Sequence, residues 1–517
     1  MTVDSPWRAS CSTDPMAPSK PRSFRRVLVA NRGEIAVRVI RTLRDLGMTS
    51  IAVYSEADRA ALHVLLADEA YPVGPAAASQ SYLDVERLLE AARVSRAEAV
   101  HPGYGFLSEN ADFAAACASA GLVFIGPPAE SIRLMGNKLA ARELARKVGA
   151  PLVPGSPGPV DSLDQARAEA LSIGFPILLK AAAGGGGKGM RVVRDAAGLS
   201  AAFELVRGEA KAAFGDDQVY LERYLEHPRH IEAQVLADAG GRVLFLGERE
   251  CSVQRRHQKV LEETPSPALP PAVRAQIGEA ACAVAQAAGY RNAGTVEFIV
   301  DEKDRFYFLE MNTRLQVEHP VTEMVTGLDL VAEQIRIAQG EPIGFDPADA
   351  VPRGASVEVR VYAEDPRRGF LPATGTVARL RWPLGPGVRV DSGIYRGYTV
   401  PVHYDPILAK IVSWGRDRPQ ALARLGRALE ETVLHGVTTN VGFHRWLVRH
   451  PVIAAGRYDT RFLEEHFRPD MLEGDAEAER VALVAAALHE WQKSRSVALP
   501  RRREGGAWKW AGLEDSR

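Results

Sequence analysis

Apolar residues recur along this chain at a few distinct spacings, and each spacing predicts an element. RRVLVA (Arg25–Ala30) is an apolar run of strand length, and after NRG the residues Ile35, Val39, Leu43 and Leu46 recur at helical spacing as far as Gly47. SIAVYS (Ser50–Ser55) is the next strand. Strand, helix and strand in this order predict a βαβ unit, hence a parallel sheet with a ligand crevice at the strand ends. GTVEFIVDEKDRFYFLEMN (Gly294–Asn312) reads as two apolar strands around a polar turn. EMNTRLQVEHP (Glu310–Pro320) then alternates: Glu310, Asn312, Arg314, Gln316 and Glu318 share one parity, while Met311, Leu315 and Val317 lie on the other. Side chains of extended chain have period two, so this run is expected to continue the strand and to aim its polar side into a cleft. Beyond Pro469 a helix carries Val481, Val484, Leu488 and Trp491 on one stripe, and a basic end with Trp508 and Trp510 follows. That tail could dock a partner or pack on its own domain.

Composition narrows the class. A chain of 517 residues exceeds what one core usually supports, so about three or four domains are expected. Hydrophobic residues at 46% and charged residues at 25% suit a soluble globular protein. A formal net charge of -1 gives no global pull toward nucleic acid or an anionic membrane. No apolar run approaches the length of a membrane helix. Residues 1–24 are proline-rich without a signal-like apolar block and read as a disordered lead-in. Cys11, Cys117, Cys251 and Cys282 form no CxxC pair, which argues against a zinc site or disulfide scaffold and fits a reducing, cytoplasmic setting.

Three stretches carry candidate chemistry. FPILLKAAAGGGGKGM (Phe175–Met190) is a strand followed by four consecutive glycines. It is not a Walker A loop, because Gly189 follows Lys188. Glycines still let backbone N–H groups approach phosphate oxygens, and such a loop can act as a lid. Lys180 and Lys138 could neutralise phosphate charge. In the hairpin, an even-length loop puts Glu297, Glu310 and Asn312 on one face, whereas an odd loop breaks this; both stay open. Two close carboxylates repel unless a cation lies between them, and two Glu with an Asn suit Mg²⁺ or Mn²⁺. Upstream, Arg255, Arg256, His257 and Lys259 crowd into five positions and read as a second anion pocket facing the metal. One glycine in Asn31-Arg32-Gly33 is too few for a nicotinamide fingerprint.

These motifs occur together with HPGYGFLSEN (His101–Asn110), EHPRHIEAQV (Glu226–Val235), CSVQRRHQKVLEE and VYAEDP (Val361–Pro366). In that order, over about Arg25 to Pro469, the chain resembles biotin carboxylase, the ATP-grasp component of acetyl-, propionyl-, methylcrotonyl- and pyruvate-type carboxylases. The resemblance implies an α/β and α+β multidomain fold. Residues 25–135 would form a Rossmann-like N-terminal domain, 136–224 an ATP-grasp lid region, 225–350 the ATP-grasp core and 351–469 a C-terminal domain, with 470–517 a helical, basic tail. It places Lys138, Lys180, Gly186, Gly187, His230 and His257 on ATP phosphates or ribose, and Glu222, Arg223, Tyr224 and Leu225 along adenine. Glu297, Glu310 and Asn312 match the metal ligands; Lys259, Arg314, Gln316 and Val317 match the bicarbonate pocket. Glu318 matches the base that deprotonates bicarbonate, and Arg360 the residue that stabilises the enolate-like anion of biotin. Ala183 stands where some members have another Gly.

The implied reaction is ATP-dependent carboxylation of biotin by bicarbonate, through carboxyphosphate. A biotin carrier has a Lys flanked by Met, and none of the eight methionines here adjoins a lysine. Biotin is therefore expected on a separate carrier protein, with carboxyltransferase partners and a homodimer in the family manner. An acetyl- or acyl-CoA carboxylase is the first expectation for the whole system. A pyruvate- or methylcrotonyl-type carboxylase is the alternative, and another ATP-grasp carboxylate ligase comes after that.

Overall fold

The structure, a computed structural model, describes residues 10–11, 23–181, 189–215, 217–256, 258–472 and 476–495. Apart from Ser10–Cys11 and residues 23–24, the expected lead-in falls outside these residues, as do the glycines of the 184–187 run, Ala183, His257 and the Trp508/Trp510 pair. Residues Met1–Phe467 form one compact unit and Arg468–Arg517 a second. In the second, Ala476–Arg495 is helical as its periodicity predicts, and Val481, Val484, Leu488 and Trp491 are all at least half exposed.

The βαβ reading holds. Strands Arg26–Val29 and Thr49–Ser55 pair in parallel around helix Gly33–Asp45, within a five-stranded sheet that Ala99–His101 also joins. Asn31, buried at the first strand's end, donates from Nδ2 to the carbonyls of Pro102 (2.7 Å) and Tyr104 (2.8 Å). It thereby ties two loops together at the carboxyl edge of the sheet. Gly103 adopts φ +62°, and a Cβ there would stand 3.0 Å from that same Nδ2.

A nine-stranded antiparallel sheet dominates the rest of the large unit. Eight strands run in the order Phe306–Asn312, Asn292–Val300, Arg229–Ala237, Val243–Arg255, Gln258–Thr264, Ala355–Tyr362, Ile407–Gly415 and Val388–Ser392, and the ninth, Ser10–Cys11, pairs with Val243–Arg255 off this path. Period-two alternation sorts its side chains. Ile231, Ala233, Val235, Val296 and Phe298 pack with Ile277, Ala281 and Val284 of helix Pro271–Ala287. Leu236, Leu244 and Ala293 point the other way, toward Val331 and Ile335 of helix Leu330–Ala338 and Val39 of the first helix. Farther along the same strands, the second face carries His230, Glu232 and Glu297, all buried. A separate three-stranded sheet, Met190–Val193, Ile177–Ala181 and Val219–Arg223, holds Lys180.

One expectation needs correction, and one open alternative is decided. The polar run does not continue as strand: Phe306–Asn312 ends at Asn312, residues 313–318 turn, and helix His319–Thr326 begins. Pro320 sits in the first turn of that helix, where its missing N–H is harmless. The hairpin loop is odd, not even. Asp301 N–H bonds the Arg305 carbonyl at 2.9 Å, and Asp304 takes φ +58°, as the last residue of a three-residue loop often does. Such a loop alone would misalign the glutamates. A bulge at Leu309 offsets it, because Phe298 pairs with Phe308 while Glu297 pairs with Glu310.

Candidate active site

Three strands place three carboxylates in a row: Glu232 faces Glu297, and Glu297 faces Glu310. Like charges this close are tolerable only with cations among them. Lys259, from strand Gln258–Thr264, supplies one. Its ammonium lies 3.0 Å from Glu297 Oε1 and 3.0 Å from Glu318 Oε1, and it also bonds Glu232. Arg249, fully buried, holds Glu232 from the other side at 3.0 Å. Burial would lower the Lys259 pKa, but Glu232, Glu297 and Glu318 outweigh it and hold the lysine well above its usual range. Burial raises Glu232 while Lys259 pulls it down, and the balance leaves it at about 2.

The Glu297/Glu310 pair splits as two neighbouring carboxylates should. Burial opposes ionisation of Glu297, yet Lys259 and His230 drive it well below the normal range. Glu310 is raised, by burial and then by Glu297. His230 Nε2 stands 3.1 Å from Glu297, which together with Glu232 overcomes burial and lifts the imidazole to about 9. Asn312 donates to Glu297 at 2.7 Å. Glu297, Glu310 and Asn312 offer only oxygen ligands, and Glu310 is held up by its neighbour, so this set fits a hard divalent cation. Ligand atoms of His230, Glu232 and Glu297 also lie within 4.8 Å of one another. Lys259 already neutralises both of those glutamates, so a metal there would displace an existing ion pair.

The 313–318 turn brings the remaining polar residues to the same place without the pleat of a strand. Arg314 donates to Gln316 Oε1 at 2.7 Å and to Asn312 Oδ1 at 3.3 Å. Gln316 in turn donates to Glu297 at 3.3 Å. Glu109, from the HPGYGFLSEN segment, accepts from Arg314 Nε at 2.9 Å and from the Thr313 N–H at 2.9 Å. Glu318 is fully buried, 3.0 Å from Arg360 Nη2. Burial and Glu232 push its pKa up, but Lys259, Arg360 and Arg249 prevail and hold it below the ordinary value. Arg360 is fixed in turn by Glu262, which accepts from its Nε at 2.6 Å. The Val317 carbonyl accepts from Lys410 at 2.7 Å.

A cavity of about 520 Å³ opens beside these groups. Lys138, Lys180, Glu222, Arg223, Tyr224 and Leu225 line one part, and His230, Lys259, Glu297, Glu310, Asn312 and Arg314 another. Apolar Val153, Leu178 and Leu309 also line it. Lys180 pairs with Glu222, which Arg142 also holds. The basic cluster divides: Arg256 and Lys259 reach the cavity, while Arg255 stacks 4.2 Å over the Phe370 ring.

The described candidates from the sequence therefore gather around one site, whereas Gly186, Gly187 and His257 lie outside the described residues. Sequence reasoning missed Glu232, Arg249, Glu109 and Glu262. A signal for Glu232 existed, since His230, Glu232 and Gln234 alternate in the way that singled out the 310–318 run. Glu109 had none, because its partner lies some 200 positions away; the separation to Arg314 is 205.

Comparison with known proteins gives the family. Residues 23–132 match the family model "Biotin carboxylase, N-terminal domain", 137–345 match "Carbamoyl-phosphate synthase L chain, ATP binding domain", and 358–465 match "Biotin carboxylase C-terminal domain". Biotin carboxylase 1 of Bacillus subtilis is 49% identical over 444 residues, covering 86% of this chain and 99% of that one. A pyruvate carboxylase subunit of Methanothermobacter thermautotrophicus is 50% identical, covering 86% and 90%. The structure of the biotin carboxylase domain dimer of Hydrogenobacter thermophilus 2-oxoglutarate carboxylase, in complex with MgADP, ADP and bicarbonate, superposes with a TM-score of 0.83 at 45% identity, covering 88% of this chain and 100% of that one. On its fold, its matched domains and its relatives, the chain belongs to the biotin carboxylase family of ATP-grasp enzymes.

Proposed function

We propose that this chain carboxylates biotin, using ATP and bicarbonate and forming ADP. One observation carries the reading: Lys259 and Arg314 line one cavity with the Glu297/Glu310 pair, and Lys259 ties them to the buried Glu318 and, through it, to Arg360. Family membership supports it independently.

On this reading Lys138 and Lys180 neutralise nucleotide phosphates, and residues 222–225 line adenine. Gly186, Gly187, His230 and His257 join the nucleotide site. Mg²⁺ or Mn²⁺, when bound by Glu297, Glu310 and Asn312, supplies further charge neutralisation at the phosphates. Lys259, Arg314, Gln316 and the Val317 backbone bind bicarbonate, with the guanidinium fork matching a planar oxyanion. Glu318, ionised because Lys259 and Arg360 outweigh burial, takes the bicarbonate proton. A bicarbonate oxygen attacks the γ-phosphorus, the bond to the bridging oxygen breaks, and carboxyphosphate and ADP result. Carboxyphosphate then releases CO₂ and phosphate. The phosphate takes the N1′ proton of biotin, N1′ bonds to CO₂, and Arg360 faces the charge that develops on the ureido oxygen.

Biotin arrives on a carrier protein, and a carboxyltransferase passes the carboxyl group to an acetyl- or acyl-CoA acceptor. The pyruvate carboxylase relative, at 50% identity against 49% for the Bacillus subtilis biotin carboxylase, favours a keto acid as the second acceptor class. A domain dimer is the assembly named for the Hydrogenobacter structure, and a homodimer is the one we propose here. The site of action is the cytoplasm, a reading that rests on Cys117 and Cys251 being buried free thiols. Among the described residues no helix is long and apolar enough to cross a membrane.

The test is ADP release in the presence of free biotin. Turnover should require both bicarbonate and Mg²⁺ and rise with biotin. An ATPase indifferent to bicarbonate and biotin would overturn the reading.

A further inference from the structure

We infer that Lys410 is a positioning residue for the bicarbonate-binding turn, a role that rests on the function proposed above. Lys410 lies in strand Ile407–Gly415 and is wholly buried. A buried ammonium needs partners for both its charge and its N–H bonds. Nζ donates to the Val317 carbonyl at 2.7 Å and stands 3.2 Å from Glu34 Oε1, in the first turn of helix Gly33–Asp45. The Tyr104 hydroxyl bonds the same Glu34 carboxylate, and its ring centroid lies 5.6 Å from Nζ. One cation thus touches three segments that are far apart in sequence.

The cross-strand neighbour of Lys410 makes the arrangement specific. Lys410 directly faces Arg360 in the register between Ala355–Tyr362 and Ile407–Gly415. Arg360 holds the Glu318 carboxylate at 3.0 Å. Adjacent cations on adjacent strands therefore grip consecutive residues, Lys410 the carbonyl of Val317 and Arg360 the carboxylate of Glu318. Residues 313–318 belong to no strand, so no ladder of backbone bonds fixes their path. Side-chain bonds of this kind set where Glu318 sits relative to Lys259. The approach of Glu34 is itself built in: a Cβ on Gly393 would lie 2.6 Å from the Glu34 nitrogen, so only glycine lets the helix start so close.

Stability alone does not explain a buried Lys–Glu pair, because apolar residues of similar volume often replace such pairs without loss. The two roles therefore separate in the full-length protein carrying Lys410→Met, alone and with Glu34→Gln. The single variant should bind ATP within about twofold of wild type, while kcat/KM for bicarbonate falls roughly ten- to a hundredfold. Adding Glu34→Gln removes the stranded carboxylate and should restore the thermal midpoint without restoring kcat/KM for bicarbonate. Wild-type kcat/KM in Lys410→Met, or recovery of turnover together with the midpoint in the double variant, overturns the positioning role. Absence of bicarbonate-dependent turnover in the wild-type protein overturns the proposed function and this inference with it. Wild-type turnover beside an unimpaired Lys410→Met sinks the inference alone.

Discussion

Glu297→Gln is the most informative single change at this site, because it removes one charge and little volume. The carboxylate accepts from Lys259 at 3.0 Å, Asn312 at 2.7 Å and Gln316 at 3.3 Å, and it faces Glu310 across the strand pair. At an effective dielectric near 20, unit charges at the 3.0 Å Lys259 separation attract by about 5 kcal/mol, most of which desolvation offsets. Breaking a buried pair usually costs 3–5 kcal/mol, and Lys259 keeps Glu232 and Glu318, so a stability loss of about 3 kcal/mol is expected. The effect on the cation is separate. One of two anionic ligands becomes neutral, while Glu310, no longer raised by Glu297, ionises more readily and returns part of the lost charge. The half-saturating Mg²⁺ concentration should rise roughly ten- to a hundredfold. The assay is a Mg²⁺ titration of bicarbonate-dependent ADP release, alongside a denaturation midpoint to show that the variant is folded. A folded variant with reduced turnover but unchanged Mg²⁺ dependence would leave Glu297 with its protein partners, Lys259 and His230 foremost, and refute the metal role.

Arg314→Ala should lose most carboxylation yet still bind ATP, since its bonds run to Glu109, Gln316 and Asn312 and not to the 222–225 segment; near-normal turnover would remove its assigned role. Arg360→Ala should abolish the stimulation by free biotin and also impair Glu318, its ion-pair partner at 3.0 Å, so a variant that keeps full biotin stimulation contradicts its role. A pH prediction concerns His63, fully buried and lowered by burial to about 4. The unfolded chain protonates this histidine near pH 6.5 and the folded one only near 4, so the histidine costs stability as pH falls through that window and nothing above it. Burial raises Glu34 and Glu262 to about 7, and their proton uptake acts in the opposite direction, so the wild-type curve is a sum of both. The difference from His63→Gln isolates one group: wild type should lose about 1.4 kcal/mol per pH unit relative to the variant between pH 6.5 and 4. A constant difference between the two denaturation curves across that range would contradict it.

Local pattern was enough for much of the architecture. The helix from Gly33 to Asp45, the strands around it and the 292–312 hairpin follow from apolar spacing, because burying one face of a helix or strand imposes periods of 3.6 or 2. The polar parity of residues 310–318 correctly marked side chains that meet, but for the wrong geometric reason. Asn312 ends the strand, and the later members converge because a turn and a helix start re-aim them. The hairpin shows the same limit. Loop parity alone left the Glu297–Glu310 pairing open, and a bulge at Leu309 decided it.

What the sequence determined by itself was the kind of chemistry: anion-binding lysines, paired acids and a guanidinium, set on recognisable elements and in a recognisable family order. What only the tertiary structure decided was which charges neutralise which. Lys259 among Glu232, Glu297 and Glu318, Glu109 on Arg314, and Lys410 between Glu34 and Val317 all join residues remote in sequence. Periodicity records only which side of an element is buried. The state of a buried charge depends on every group within a few ångströms, whichever part of the chain supplies it.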